Sequence, residues 1–382
     1  MRVALVHPHV LEDLRVIGVR AEAYDRYAGY EHRYARLLNQ RGVDADLLLF
    51  SRSSRAARVV RHAWGHEVVL VPLRGARFLR HLKTFGSLLG LVRRYDVVHC
   101  FSYYSNVFDV LAVACRFAGV PLVAQAQGIY PTISGPKRLR KLLTLRLAAR
   151  LMPLNKREKE FLARRFGVAG DRVVVVPNFV VPDDHVPVPK EEARRSIGVS
   201  MDAFVVLTVC RLVPEKGVQT ILQAMSELRG EVPNGLLLVV GEGPYRGALE
   251  RMAEELRVSD RSRFVGYVPN QEISPYYSAA DCFVLASLEE SFPFVLLEAM
   301  LYGLPVVSTR TWGPSEIVVD GETGLLFEPS DPQGLARAIK QLYGDPAAMK
   351  RLGEAGRRRV LEKYTQDVTF RVLMRVYEEA GK

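Results

Sequence analysis

Apolar residues fall along this chain in short runs that alternate with helix-length amphipathic stretches. Runs of strand length stand at Val3 to Val6, Ala45 to Phe50, Val68 to Pro72, Asp96 to Cys100, Pro121 to Ala126 and Arg172 to Val176. Between them, Glu31 to Gln40, Arg77 to Arg94, Asn106 to Ala118 and Arg138 to Leu151 have the length and spacing of helices. Strands separated by helices predict β-α-β units, hence an α/β fold with a parallel, doubly wound sheet. The pattern pauses at Pro177 to Pro189, where four prolines in 13 residues read as an interdomain linker. A second series then follows, with strands at Phe204 to Val209, Gly235 to Val240, Arg263 to Val265, Asp281 to Leu285 and Pro305 to Ser308. From Pro332 to Gly381 the chain is mostly helical, broken at Gly344-Asp-Pro346. No short-period repeat is present, so the expectation is two related sheet domains with a ligand cleft between them, not a solenoid. The expected boundaries are 1–180 and 181–365, with a last helix, 366–382, packing back on the first domain.

One stretch carries more chemistry than the rest. Ala286 to Pro305 reads A-S-L-E-E-S-F-P-F-V-L-L-E-A-M-L-Y-G-L-P. It lies between two strand candidates and has helix grammar: Pro293 suits the first helical position, Phe294, Leu297 and Met300 recur at helical spacing, and Gly303 supplies a stop. Glu290 falls in the loop and Glu298 about one and a half turns inside the helix. Both are placed at the carboxyl end of a strand, the edge at which open α/β sheets bind ligands. The helix start offers amides and a positive dipole end to a phosphate, and a carboxylate one turn in can accept hydrogen bonds from a ribose diol. Two glutamates at this spacing are otherwise ordinary surface charges; what changes the reading is the longer pattern around them.

Other segments share that placement. Arg211 and Lys216 sit on one short loop, Cys210-Arg-Leu-Val-Pro-Glu-Lys-Gly217, between a strand and a helix, and two cations there suit a diphosphate. Val239-Val-Gly-Glu-Gly-Pro244 places Gly241 and Gly243 at a strand end. Gly29, in Ala28-Gly-Tyr-Glu31, opens a helix and allows close approach of backbone to a phosphate. His7 and His99 each end a strand candidate, where a histidine acts as proton carrier or sits satisfied in the core. Arg58 to His66 holds His62, Trp64 and His66 without a carboxylate or cysteine at ligand spacing, and reads as a surface loop.

Taken in order, these segments resemble the retaining glycosyltransferases of family 4, which have the GT-B fold of two Rossmann-like domains facing across a cleft. The resemblance rests on S-x-x-E-S-F-x-x-x-L-L-E-A-M-x-x-G-x-P-V-V with its E-x7-E pair, on the R-x4-K-G loop and on the G-E-G-P turn. It is strong from about Val173 to Phe327 and patchy before Asn155. It implies hexose transfer from a UDP- or GDP-sugar to an acceptor hydroxyl by front-face attack, with no metal and no other cofactor. Glu290, Arg211 and Lys216 would then do the catalytic work. The donor would be bound by Glu298, Ser291, Phe292, Phe294, Val295, Gly29, Gly241, Gly243 and Val265, and Gln127, His99 and Tyr130 are candidates for the acceptor or sugar. Four positions depart from the family pattern, the first being Ala28, which stands for the first glycine of the family's G-G-x-E loop. Gln127 stands where many relatives have histidine, Cys210 and Pro293 stand where many have glycine, and about 20 residues separate the first strand from Gly29. A nucleotide-sugar epimerase of the same architecture and a binding protein without turnover are the rival classes; Gln127, which cannot carry a proton near neutral pH, keeps the second open.

Charge adds a partner class. Residues 1–180 hold 30 Lys and Arg against 13 Asp and Glu, a net of +17, whereas the remainder nets −6. Lys137 to Arg150 alone carries six cations among leucines. No nucleic-acid motif or aromatic series accompanies the charge, which favours an anionic membrane surface or lipid-linked acceptor over nucleic acid. Glycan acceptors remain equally open. Cys100, Cys115, Cys210 and Cys282 lie far apart among apolar residues, and no run of 18 apolar residues is present. A cytoplasmic protein, soluble or peripheral on the membrane, is expected.

Overall fold

The computed structural model describes residues 1–11, 29–52, 54, 57–72, 79–127, 134–168 and 170–382. The chain divides into two compact units, Met1–Pro177 with Thr369–Lys382, and Asn178–Val368. Each is an α/β unit with its own apolar core.

The first unit contains β1 (Arg2–Val10), α1 (Tyr30–Gln40), β2 (Asp44–Ser51), β3 (Arg58–Arg61), β4 (Glu67–Pro72), α2 (Leu79–Val92), β5 (Val97–Cys100), α3 (Asn106–Ala118), β6 (Leu122–Gln125), α4 (Gly135–Thr144), β7 (Arg150–Met152) and α5 (Lys156–Phe166). Its strands lie in the order β3-β4-β2-β1-β5-β6-β7, all parallel except the edge pair β3 and β4. Val3 to His7 of β1, Ala45 to Ser51 of β2 and all of β5 and β6 are buried, as parallel strands covered on both faces must be. Helix limits follow from caps: Ser105 Oγ accepts from the Phe108 amide at 3.1 Å to start α3, and Gly119, at φ +72°, ends it.

The second unit holds α6 (Lys190–Ser196), β8 (Phe204–Val209), α7 (Val218–Glu227), β9 (Gly235–Val240), α8 (Arg246–Glu255), β10 (Ser262–Gly266), α9 (Ser274–Ala279), β11 (Cys282–Leu285), α10 (Phe294–Leu301), β12 (Val306–Thr309), α11 (Trp312–Ile317), β13 (Leu325–Phe327), α12 (Pro332–Gly344) and α13 (Pro346–Lys363). The last helix, α14, spans Gln366–Ala380. The six parallel strands run β10-β9-β8-β11-β12-β13. The break expected at Gly344-Asp-Pro346 is where Asp345 caps α13, accepting from the Ala348 amide at 2.8 Å.

Four expectations need correction. Arg172 to Val176 is no strand: it forms one bridge, Leu151↔Val173, because β7 has taken that place beside β6. The helix expected to reach Leu151 stops at Thr144 and gives way to a 3₁₀ turn and β7. Pro177 to Pro189 is no free linker, since Val180 donates to the Tyr364 carbonyl, His185 is buried and Val188 donates to Ser278 Oγ. Arg58 to His66 is not a surface loop: it forms β3 and a tight turn in which His62 and His66 are 3% and 5% exposed.

Candidate active site

In the second sheet the chain moves from β8 through β9 to β10 on one side, then returns to place β11, β12 and β13 on the other. The order therefore reverses between β8 and β11, the point at which open α/β sheets bind ligands beyond the strands' carboxyl ends. The loop after β8 carries Arg211 and Lys216; the loop after β11 carries Glu290. Lys216 Nζ meets Glu290 Oε1 at 2.5 Å, and Ser287 Oγ donates to the same oxygen at 2.9 Å. The ammonium and carboxylate are both largely sheltered, at 23% and 12% side-chain exposure, so their attraction is less screened than at an open surface. Arg211 is exposed on the same loop.

Close backbone packing fixes the two loops. The Leu288 amide donates to the Glu215 carbonyl at 2.8 Å. A Cβ on Gly217, at φ +68°, would fall 1.9 Å from the Ala286 carbonyl oxygen. Likewise a Cβ on Gly241, at φ +134°, would fall 1.8 Å from the Cys210 carbonyl oxygen, so the turn after β9 lies directly against the cationic loop. Gly243 packs the same way on Leu212. The two residues read as sugar-nucleotide glycines therefore shape the loop that carries Arg211. Burial pushes the Cys210 thiol up to about 11, so at neutral pH this departure is an inert filler beside the cations.

Glu298 is buried in α10. Tyr277 Oη donates to its Oε2 at 3.1 Å, and His185 Nε2 lies 4.0 Å from its Oε1. Tyr277 stacks on Tyr302 at 4.9 Å, and both rings shield the carboxylate. Pro293 is the residue just before the first helical one, at φ −77°, and Phe294 and Val295 form the first turn. Ser291 is half-buried, and its carbonyl is packed by Gly313, whose own amide donates to the Glu290 carbonyl at 2.9 Å. Phe292, expected on the donor, points its ring into the core against Tyr364 at 5.6 Å and has only backbone to offer a ligand. Val265 lies half-buried on β10, with the neighbouring Phe264 carbonyl held by Arg246. Ser287, Tyr277 and His185 were not among the residues singled out from the sequence; an aromatic or hydroxyl residue in an ordinary context gives no signal until the fold brings it to a carboxylate.

The first unit places its candidates differently. Gly29 is buried and caps α1 with extended backbone. His99 is wholly buried on β5 with its Nδ1 2.8 Å from Tyr377 Oη, and burial holds it down to about 3, so it is a neutral core group and not an exposed sugar contact. His7 is likewise buried, with Nε2 3.4 Å from Glu31 Oε1; burial pushes that carboxyl up to about 7. Gln127 is half-buried just past β6, and Tyr130 lies outside the described residues. Among the described residues, His32, His62 and His66 gather into one cluster with ligand nitrogens within 4.8 Å of one another. Local spacing around His62 and His66 gave no sign of this cluster, because its third member lies 30 residues upstream of His62.

Comparison with known proteins decides the family. A model described as Glycosyltransferase Family 4 matches residues 30–184, and one described as Glycosyl transferases group 1 matches residues 189–359. The chain is 30% identical over 386 residues to D-inositol 3-phosphate glycosyltransferase of Acidothermus cellulolyticus, with 92% of this chain and 85% of that protein covered. The chain belongs to the group 1 glycosyltransferases. It is also 35% identical over 197 residues to the GDP-mannose-dependent α-(1-6)-phosphatidylinositol monomannoside mannosyltransferase of Mycolicibacterium smegmatis, covering 50% of this chain and 52% of that one. A structure of Anabaena HepE in complex with UDP shares the fold, with TM-score 0.82 at 19% identity over 99% of this chain and 100% of that one. This glycosyltransferase is thus of GT-B type and takes its sugar from a nucleotide sugar. Among its described residues, no helix is long and apolar enough to cross a membrane.

Proposed function

We propose that this glycosyltransferase moves a hexose from a UDP- or GDP-sugar to an acceptor hydroxyl with retention of anomeric configuration. The observation that carries the reading is the meeting of Lys216 and Glu290 where the strand order reverses. In that reading Lys216 and Arg211 hold the diphosphate, Glu290 and the backbone of Ser291, Phe292, Phe294 and Val295 hold the sugar, and Glu298, oriented by Tyr277, takes the ribose diol. As the bond from the anomeric carbon to the phosphate oxygen lengthens, negative charge grows on the leaving diphosphate. Two fixed cations and the amides at the start of α10 lower its energy more than they lower that of the intact donor, which is the condition for catalysis. The acceptor oxygen enters on the face the diphosphate leaves, and its proton passes to the departing phosphate oxygen, so neither a protein nucleophile nor a metal ion is required.

In the same proposal the acceptor is carried at an anionic lipid surface. On α4, Leu139 and Leu143 stand one turn apart and are 62% and 59% exposed, beside the exposed Lys137 and Arg140. A basic helix with outward leucines suits a membrane interface, and the mycobacterial relative bears the name of a phosphatidylinositol mannoside enzyme.

Thermal unfolding with UDP, GDP or ADP, each at millimolar concentration without metal, tests the donor site. A ligand at 100 times its Kd adds about 2.7 kcal/mol, enough to move the transition visibly. One of the first two should raise the transition, and Lys216→Ala and Glu298→Ala should each weaken its binding at least about tenfold while circular dichroism stays unchanged. A wild-type protein that ignores all three nucleotides, or variants that bind as wild type does, would remove the assignment.

A further inference from the structure

The cluster of His32, His62 and His66 plays no part in the transfer described above. We propose that it is a binding site for one divalent transition-metal ion of the zinc class, held through three imidazole nitrogens and tying the β3–β4 turn to the first turn of α1.

The geometry comes from three local devices. β3 and β4 form an antiparallel pair ending at Arg61↔Glu67, closed by the His62 amide donating to the His66 carbonyl at 3.0 Å. Gly65, at φ +86°, makes the turn between them. His62 and His66 therefore leave the hairpin on the same side, with ring centroids 4.6 Å apart. His32, the third residue of α1, stacks over His62 at 4.0 Å and bonds its Nδ1 to His66 Nε2 at 2.9 Å. All three rings are at most 5% exposed.

Packing alone accounts poorly for this arrangement. Three buried imidazoles bring together six ring nitrogens, and His66 Nδ1 has no hydrogen-bond partner among the described residues; a polar atom buried without a partner costs free energy. A cation gives the gathered lone pairs a common partner, since each neutral imidazole supplies one and imidazole is a preferred donor for zinc, copper and nickel ions. Zinc–nitrogen bonds of about 2.0–2.1 Å in a tetrahedral site set the donor nitrogens about 3.3 Å apart. The His32–His66 pair need open by only a few tenths of an ångström.

Two surroundings fit a metal-bound cluster. With His32 presenting Nδ1 to the cluster, its Nε2 faces Glu31 Oε1 at 3.9 Å, the place where a carboxylate steadies the far nitrogen of a liganding imidazole. His66 also lines a surface pocket of about 380 Å³ with Arg36, Asp46, Trp64 and Glu67, which gives an ion a way in. One bond must be given up: the Trp64 amide donates to His62 Nδ1 at 3.1 Å, and loading requires this turn amide to release the ring and face solvent.

The test uses the full-length protein without a histidine tag, stripped with a chelator and titrated with Co²⁺ and then Zn²⁺. One equivalent of Co²⁺ should give the visible absorption of a tetrahedral site, and Zn²⁺ should displace it. His62→Asn with His66→Gln should weaken Zn²⁺ binding at least about 100-fold while nucleotide affinity is kept. His66→Cys, which keeps a ligand, should retain stoichiometric binding and add a sulfur-to-cobalt charge-transfer band, a result that misfolding could not mimic. No tetrahedral spectrum in the wild-type protein, or Zn²⁺ binding unchanged in the double variant, would overturn the site and leave a neutral histidine stack.

Discussion

His99 shows how burial converts a residue of catalytic type into a structural one. Its ring sits on β5 with Tyr34 edge-on from α1 at 5.7 Å, Phe101 at 4.4 Å and Tyr377 from α14, whose hydroxyl meets Nδ1. Burial lowers its pKa from 6.5 to about 3, because the charged ring would lose its hydration without gaining an acid partner. In the unfolded chain the ring protonates near 6.5. Between those values the unfolded state binds the extra proton, so the stability that neutral His99 contributes is complete above about pH 6.5 and is lost as pH falls towards 3. Urea unfolding at a series of pH values should therefore show stability falling through this window by a few kcal/mol in the wild type, and by clearly less in His99→Gln, whose amide can still meet Tyr377. Parallel curves for the two proteins would refute the assignment. Lys216 makes the opposite case: it remains partly accessible and holds a carboxylate it can exchange for a phosphate, which suits a binding group and not a core one.

Elements carry their own information, and α4 is the one whose exposed face asks for an explanation. Lys141 does not face solvent as its helix position suggests; it is buried, with Nζ 2.7 Å from Asp109 Oδ1, and anchors α4 to α3. Leu139 and Leu143 consequently point outward. Replacing both with serine should abolish sedimentation of the enzyme with anionic liposomes at low salt while its melting temperature moves little, since neither leucine packs in the core; equal sedimentation of wild type and variant would remove the membrane role. Several other elements were legible in the sequence almost to the residue. β8 and β9 coincide with the apolar runs at 204–209 and 235–240, bounded by polar or glycine residues, and α3 lies between its serine cap and Gly119. The strands that escaped are β3, β7 and β13, of three or four residues, and each is a sheet edge. An edge strand has one neighbour and needs fewer apolar residues, so its pattern fades into that of a loop. The candidate site divides in the same way. Lys216, Glu290 and Glu298 stand in local motifs, whereas the groups that orient Glu298, His185 and Tyr277, come from distant segments that only the folded chain brings together. The histidine cluster was hidden for the same reason.

At the scale of the whole molecule, the two units divide the chemistry between them. In the proposed reading a diphosphate is neutralised by side chains of the second unit, where Lys216 and Arg211 occupy one loop whose shape is fixed by Gly217 and Gly241. The histidine cluster belongs to the first unit, the one with the large positive charge, in which a bound cation would serve stability through β3, β4 and α1. Binding that occurs only in the folded state stabilises it in proportion to ligand concentration over Kd, so the two sites should respond to different reagents. Exhaustive chelation should lower the unfolding temperature, and Zn²⁺ should restore it, while donor affinity and the initial rate of sugar transfer measured well below that temperature stay within about twofold of the untreated enzyme. If chelation instead abolished transfer and a divalent ion restored it, the charge on the leaving diphosphate would be balanced by metal, and the role given to Lys216 and Arg211 would have to be withdrawn.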